Sequence, residues 1–185
     1  IATGMPNGVF SNLNSSGIAV GVDLVKHPKV KAVGFTGSIK GGRALLDLAA
    51  KREEPIPVFA EMGSVNPVVI LPEALHKNGK NLAKTYAGSI TLGTGQFCTN
   101  PGLLLGIKSA ELTAFIQNLG KEILQIQPSV MLHPTIIGAY EANKDNTIAQ
   151  NNIEVVAQYN DEVQPNFAQQ VITTVEGQTF LDNSS

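Results

Sequence analysis

Short apolar runs of strand length alternate along this chain with longer segments of helical period. Residues 30–35 form an apolar run with apolar side chains on both faces, which is typical of a strand buried in a parallel sheet. Apolar residues then recur at helical spacing from about residue 40 to residue 51, and Val58–Met62 is again strand-like. Because parallel strands need crossover connections, this order predicts an α/β fold with a mainly parallel sheet.

The rest of the chain continues the alternation. Ser15 and Ser16 are expected to cap the first helix, and the Gly63-Ser64 hinge is the best candidate for a domain boundary. We therefore divide the chain into residues 1–63 and 64–185. The further strands are predicted at residues 9–13, 67–71, 103–107, 153–157 and 171–174, and the further helices at about 16–27, 82–92, 110–126 and 134–149.

Composition excludes several classes of protein. Of the 185 residues 43% are apolar, which is enough to form a core, and the formal net charge of −2 gives no reason to expect nucleic acid. No apolar run reaches the roughly 18 residues of a membrane span. One cysteine and three histidines predict neither an internal disulfide nor a zinc site, so no metal is expected. We expect a cytoplasmic protein without a membrane or nucleic-acid partner.

The stretch from Phe35 to Ser38 is the first place with chemical potential. A strand that ends in Gly37-Ser38 and leads into a helix presents backbone N–H groups that favour phosphate. The stretch matches no standard nucleotide-binding fingerprint, so a plain strand-to-helix turn is the alternative. Upstream, Gly17 and Gly21 allow close approach of a cofactor or, alternatively, of a neighbouring helix.

Glu61 and Cys98 are the other two candidates. Glu61 ends an apolar strand, where a carboxylate can accept a proton from water, although a capping or ion-paired role is the alternative. Cys98 follows two glycines in a loop with Gln96, Thr99 and Asn100, which is unusual for a buried core cysteine. A thiol held at a helix end there is suited to act as a nucleophile.

None of these features decides the function alone, but their order and spacing do. Phe-Thr-Gly-Ser, then Glu61-Met62-Gly63, then Gly-Gln-Phe-Cys98 resembles the aldehyde dehydrogenase superfamily. Glu61 and Cys98 lie 37 residues apart, slightly more than is usual there, and Ser64-Val65 replaces the more common Gly-Lys. With these departures and the stretch from Gly95 to Gly102, the sequence resembles the branch of α-ketoglutaric semialdehyde (2,5-dioxopentanoate) dehydrogenases. A related NADP-linked fatty aldehyde dehydrogenase shares much of this pattern.

The resemblance implies roles for individual residues. Cys98 would be the nucleophile and Glu61 the base that activates the hydrolytic water. The resemblance places Phe97 and Thr99 in the aldehyde pocket. The cofactor, NAD or NADP, would lie along the residues Phe35, Gly37, Ser38, Gly17, Gly21 and Met62.

The resemblance also implies a three-layer fold in which residues 1–63 are the later half of a dinucleotide-binding domain and residues 64–185 the earlier part of a catalytic domain. The absence of an initiator Met and of a final structural element predicts truncation at both ends. Relatives supply an oxyanion-hole asparagine, a cofactor lysine and an oligomerisation strand from other segments. We therefore expect a homo-oligomeric full-length enzyme and little activity in these 185 residues alone. A non-catalytic module is the competing hypothesis.

Overall fold

The computed structural model describes residues 4–182, and the chain divides into two compact units after Gly63. The described part of the chain is mixed α and β, as predicted. None of the helices among residues 4–182 has the length and hydropathy needed to cross a membrane.

The first unit contains one parallel strand pair and two helices. Strands β1 (Val33–Gly37) and β2 (Val58–Met62) pair in parallel with Thr36 opposite Glu61, and helix α2 (Ile39–Ala50) connects them. Its buried core consists of Val25, Ala49 and Ile56. The elements of this unit are α1 (Ala19–Lys26), β1 (Val33–Gly37), α2 (Ile39–Ala50) and β2 (Val58–Met62).

The second unit contains the larger core. It is built on helices α3 (Pro72–Thr91) and α4 (Ala110–Ile123) and on the parallel pair of β3 (Pro67–Ile70) and β4 (Leu103–Gly106). Phe115 and Ile123 are its largest fully buried side chains. The elements are β3 (Pro67–Ile70), α3 (Pro72–Thr91), a 3₁₀ turn (Leu92–Gly95), β4 (Leu103–Gly106), α4 (Ala110–Ile123), β5 (Ser129–Val130), α5 (Pro134–Ile148), β6 (Glu154–Gln158), β7 (Phe167–Ala168), β8 (Val171–Thr174) and α6 (Gly177–Asp182).

The last strands pair antiparallel, whereas the sheet was expected to be mainly parallel. Strand β6 pairs antiparallel with β8, and β5 pairs antiparallel with β7. The connection between β6 and β8 contains no helix, and a parallel pair needs a long crossover. The described strands thus form four two-stranded sheets, two parallel and two antiparallel.

Two predictions near the amino terminus are wrong. Residues 9–13 form no strand, and Phe10 is 74% exposed, because no described strand pairs with this segment. The first helix begins at Ala19 without a side-chain cap, since the hydroxyl of Ser15 accepts a hydrogen bond from the Gly17 N–H in a local turn.

Helix α3 begins ten residues earlier than predicted. Asn78 has non-helical backbone angles and kinks the helix, and Gly79 follows it. This interruption breaks the apolar period, so the sequence pattern indicated only the part of the helix after the kink.

Candidate active site

Cys98 lies in the loop between the 3₁₀ turn and β4, and it is exposed. The exposure rules out the alternative of a buried core cysteine. The preceding residues Gly93, Thr94 and Gly95 all have left-handed backbone angles, with φ of 57°, 58° and 71°. Glycine adopts this conformation without strain, whereas the β-branched Thr94 needs compensating contacts.

Those contacts tie the start of the loop to the segment around β5. The Thr94 hydroxyl lies 2.8 Å from the Ser129 hydroxyl and 3.2 Å from the Val130 carbonyl oxygen. The Gln96 side chain accepts from the Leu132 N–H at 3.0 Å and donates to the Gly93 carbonyl at 2.9 Å. The Cys98 loop is therefore fixed upstream by side chains of its own sequence.

The end of the loop is tied to the segment before β3. The Cys98 carbonyl oxygen accepts hydrogen bonds from the Ser64 hydroxyl at 2.5 Å and from the Asn66 amide at 2.6 Å. The Asn66 amide also reaches the Asn100 carbonyl at 3.0 Å, and the Asn100 amide donates to the Ile90 carbonyl at 2.6 Å. The motif pattern included Ser64, Asn66 and Gln96, but it gave no indication of these contacts.

Phe97 and Thr99 flank Cys98 on the exposed loop. The Phe97 ring is folded back over Gly93. A Cβ atom added to that glycine would lie 2.4 Å from the ring. The φ angle of 57° favours glycine at residue 93, and a larger residue there would also displace the Phe97 ring. The assignment of Phe97 and Thr99 to the aldehyde pocket stays a prediction.

An open cleft of about 1280 Å³ adjoins the loop within the second unit. Gln96 and Asn100 of the loop are among its lining residues. The lining also includes residues of α4, α5 and β8, among them Phe115, Tyr140 and Ile172.

Glu61 is the fourth residue of β2 and is exposed. Among the residues that the structure describes, none forms an ion pair or hydrogen bond with its carboxylate, so the capping and ion-paired alternatives have no support here. Met62, which follows it, packs its side chain against α2, where a Cβ on Gly42 would lie 2.3 Å from its sulfur.

Phe35, Gly37 and Ser38 lie together at the carboxyl end of β1. The Ser38 hydroxyl caps α2 by accepting from the Gly41 N–H at 3.1 Å. The Phe35 ring covers both glycines, since a Cβ on Gly37 would lie 2.6 Å from it and a Cβ on Gly41 2.9 Å from it. The cap gives Ser38 a structural role, and a plain strand-to-helix turn would account for this role as well.

Gly17 precedes helix α1 and Gly21 lies within it. A Cβ atom on either glycine would meet no atom of the described chain within 4 Å. The helix-packing alternative for these glycines therefore has no support in this structure. The assignment of Gly17 and Gly21 to the cofactor stays a prediction.

No group of three or more His, Cys, Asp or Glu side chains that could hold a metal ion occurs between residues 4 and 182.

Comparison with known proteins relates this geometry to a family. The sequence matches the aldehyde dehydrogenase family over residues 1–171. It is 41% identical over 155 residues to the α-ketoglutaric semialdehyde dehydrogenase of Acinetobacter baylyi, covering 84% of this chain and 29% of that protein. It is 50% identical over 138 residues to α-ketoglutaric semialdehyde dehydrogenase 2 of Azospirillum brasilense, covering 75% of this chain and 26% of that protein.

Solved structures share the fold at lower identity. An NAD-dependent benzaldehyde dehydrogenase from Corynebacterium glutamicum superimposes with a TM-score of 0.77 at 21% identity, over 92% of this chain and 38% of its own. The γ-glutamyl-γ-aminobutyraldehyde dehydrogenase of Burkholderia cenocepacia gives a TM-score of 0.71 at 21% identity, over 84% and 33% of the two chains.

The chain spans between a quarter and a third of the length of the curated relatives that it matches. The family match covers more than nine-tenths of its residues. This chain belongs to the aldehyde dehydrogenase family.

Proposed function

We propose that the protein carrying this chain oxidises α-ketoglutaric semialdehyde to the corresponding carboxylic acid with reduction of NAD or NADP. The observation that carries the proposal is the exposed Cys98 on a loop whose carbonyl and preceding residues are held by side chains on both sides. The substrate class is supported by the two relatives, which are both named α-ketoglutaric semialdehyde dehydrogenases.

The first unit supplies the proposed cofactor surface. The amino terminus of α2, the carboxyl end of β1 and the open glycines at residues 17 and 21 would hold the nucleotide. When bound, the nicotinamide accepts the hydride that the aldehyde carbon loses. The proposal covers both NAD and NADP, and both belong in the assay.

In the proposed reaction the Cys98 thiolate forms a bond from its sulfur to the aldehyde carbon. The carbonyl oxygen becomes an oxyanion, which the backbone N–H of Cys98 would stabilise. After the carbon loses its hydride, the C–O double bond re-forms and the acyl group remains on sulfur as a thioester. Glu61 then takes a proton from water, the hydroxide adds to the acyl carbon, and the C–S bond breaks to release the acid.

The reaction balances as one aldehyde, one oxidised cofactor and one water giving one acid, one reduced cofactor and one proton. The presence of Glu61 supports water as the acceptor of the acyl group. Transfer to another nucleophile would not need a base that activates water.

The decisive experiment follows reduced cofactor and acid product with α-ketoglutaric semialdehyde, and with a medium-chain aldehyde as the competing substrate. A value of kcat/KM at least tenfold higher for the semialdehyde supports the proposal. The reverse order would assign the protein to fatty aldehydes instead. No turnover of either aldehyde by the natural protein that carries this sequence would favour a non-catalytic role.

We also expect the 185 residues alone to turn over slowly. They span less than a third of each curated relative's length, and loss of an oxyanion donor costs about 10²–10³ in rate. Turnover by these residues at the rate of the longer protein would contradict this expectation.

A further inference from the structure

The hydrogen bonds around Cys98 fix the backbone on both sides of its Cα atom. We propose that Ser64 and Asn66 are positioning residues for the Cys98 nucleophile. This inference rests on the proposed function, because it concerns how the thiol and its N–H group are held for reaction. Neither residue is proposed to touch the aldehyde.

The peptide that follows Cys98 is held through its carbonyl oxygen. That oxygen accepts from the Ser64 hydroxyl at 2.5 Å and from the Asn66 amide at 2.6 Å. The amide also donates to the Ser64 oxygen at 2.8 Å, so the two residues form a closed arrangement around one acceptor. Because a peptide group is planar, holding the oxygen holds the whole Cys98-Thr99 plane.

The peptide that precedes Cys98 is held independently. The Asn100 N–H donates to the Phe97 carbonyl at 3.0 Å, and that carbonyl shares a peptide plane with the Cys98 N–H. In a trans peptide the N–H points opposite to the carbonyl. The direction of the Cys98 N–H, the proposed oxyanion donor, is therefore set by this turn.

The residues that hold the carbonyl are themselves fixed. Asn66 has a φ of 46°, a left-handed conformation that Asn tolerates better than most residues. Beside it, the Gly102 N–H donates to the Val65 carbonyl at 2.8 Å, and a Cβ on Gly102 would lie only 3.1 Å from that oxygen. Strands β3 and β4 pair directly after these contacts, starting with Pro67 opposite Leu103.

The two positioning residues should contribute unequally. The two N–H groups of the Asn66 amide are shared among three oxygen atoms, whereas the Ser64 hydroxyl donates only to the Cys98 carbonyl. Loss of the amide would leave the Cys98 carbonyl with only the Ser64 hydroxyl as donor and the Asn100 carbonyl with only the Gly102 N–H. Loss of the hydroxyl would leave the Cys98 carbonyl with one donor.

The test compares Asn66→Gly, Ser64→Ala and Ser64→Thr in the purified natural protein. Glycine removes the amide without imposing strain at a positive φ angle, and threonine restores the hydroxyl. The matched control is Thr85→Ala, which removes a hydroxyl that bonds only its own helix, to the Asn81 carbonyl at 3.0 Å. Two measurements are made on each variant: kcat and KM for the semialdehyde, and hydrogen–deuterium exchange of the peptide covering residues 97–102.

We expect kcat to fall about 10- to 100-fold in Asn66→Gly, because a displacement of about 1 Å at a reacting group costs about 10² in rate. The fall should be smaller in Ser64→Ala and absent in Ser64→Thr and Thr85→Ala, with KM within about twofold throughout. Exchange in residues 97–102 should rise in the same order as kcat falls.

Faster exchange with unchanged kcat in Asn66→Gly would overturn the positioning role, since the bonds would then be structural only. Unchanged exchange would overturn the proposed restraint itself. If the wild-type protein oxidises no aldehyde, the proposed function fails. The rate of Cys98 alkylation by iodoacetamide then replaces kcat, and a rate equal to that of wild type in Asn66→Gly would again overturn the inference.

Discussion

Glu61 and Cys98 are proposed to act in one reaction, yet the structure holds them in different ways. Glu61 lies near the end of strand β2 in the first unit, and Phe59 of the same strand is 69% exposed. The core of this unit contains three buried hydrophobic residues among those described. Cys98 lies on a loop of the second unit, which has a core of eight buried residues and side-chain hydrogen bonds on both sides of the thiol.

The difference matches the tasks proposed for the two residues. A nucleophile must meet the aldehyde carbon in a narrow range of positions, and its oxyanion donor must be fixed beforehand. A base for water can act through a freely solvated carboxylate, and the Glu61 carboxylate has no partner among residues 4–182. The comparison therefore predicts strong effects where the backbone is fixed and selective effects at the carboxylate.

The largest effect is expected from Cys98→Ala. Removal of the nucleophile should lower kcat by about 10⁴-fold or more, as losses at covalent catalytic residues do. Steady-state assays with the semialdehyde measure the loss, and Thr85→Ala is the control. Residual turnover within tenfold of wild type would exclude the proposed covalent role.

Glu61→Gln should separate the two half-reactions. We expect steady-state turnover to fall by about 10²–10⁴, the usual contribution of a general base, while a burst of about one reduced cofactor per site remains. Stopped-flow absorbance of the reduced cofactor distinguishes burst from steady state. Glu53→Gln, an exposed carboxylate of the same unit, is the control.

If the burst and the steady state of Glu61→Gln decline together, Glu61 acts before thioester formation, and its assignment to hydrolysis is wrong.

Phe115→Ala and Ile56→Ala compare the two cores directly. Phe115 is 2% exposed and forms an edge-to-face pair with Tyr86, with ring centroids 6.4 Å apart. We expect its truncation to lower the free energy of unfolding of the second unit by about 3–5 kcal/mol. Ile56, 8% exposed in the smaller core, should cost about 2 kcal/mol, at the low end of its class.

Hydrogen–deuterium exchange at increasing urea concentration reports each unit separately. Equal losses in the two units would show that core size does not distinguish them.

A smaller effect is expected from Tyr140, on the stability of the second unit at alkaline pH. Burial raises the pKa of Tyr140 to about 12, and the charge of Glu141 adds to the rise. An unfolded tyrosine titrates near pH 10, so Tyr140 should cause a loss of stability as the pH rises from about 10 towards 12, and none below pH 10. Tyr140→Phe should lose the hydrogen bond to the Gln169 carbonyl, about 1 kcal/mol at pH 8, and lack this alkaline decline.

Thermal unfolding from pH 8 to pH 11 measures both effects. Tyr159→Phe is the matched control and should retain the decline. An alkaline slope in Tyr140→Phe equal to that of wild type would refute the role given to the phenol.

The sequence predicted helices and strands well where the hydrophobic period within the segment itself indicates the structure. The strand at Val171–Thr174 matches the prediction, and helix α2 differs by one residue at each end. Pairing between distant segments was harder, because period alone does not state a strand's direction, and β5 and β7 are too short to show a period.

The same limit applies to the candidate site. The exposure of Cys98 agrees with the polar, glycine-rich composition of its loop. The contacts from Ser64 and Asn66 depend on backbone atoms more than 30 residues away, and their residue types would suit many turns.

The restraints on the Cys98 loop have a consequence for synthesis of the chain on the ribosome. The loop depends on residue 66 before it and on residue 132 after it. Translation makes the thiol available well before Leu132 leaves the exit tunnel, so for some seconds the nascent chain carries Cys98 without the contact from Leu132. Oxidants and electrophiles in the cell therefore meet Cys98 first in an incomplete loop, and only later in the finished one.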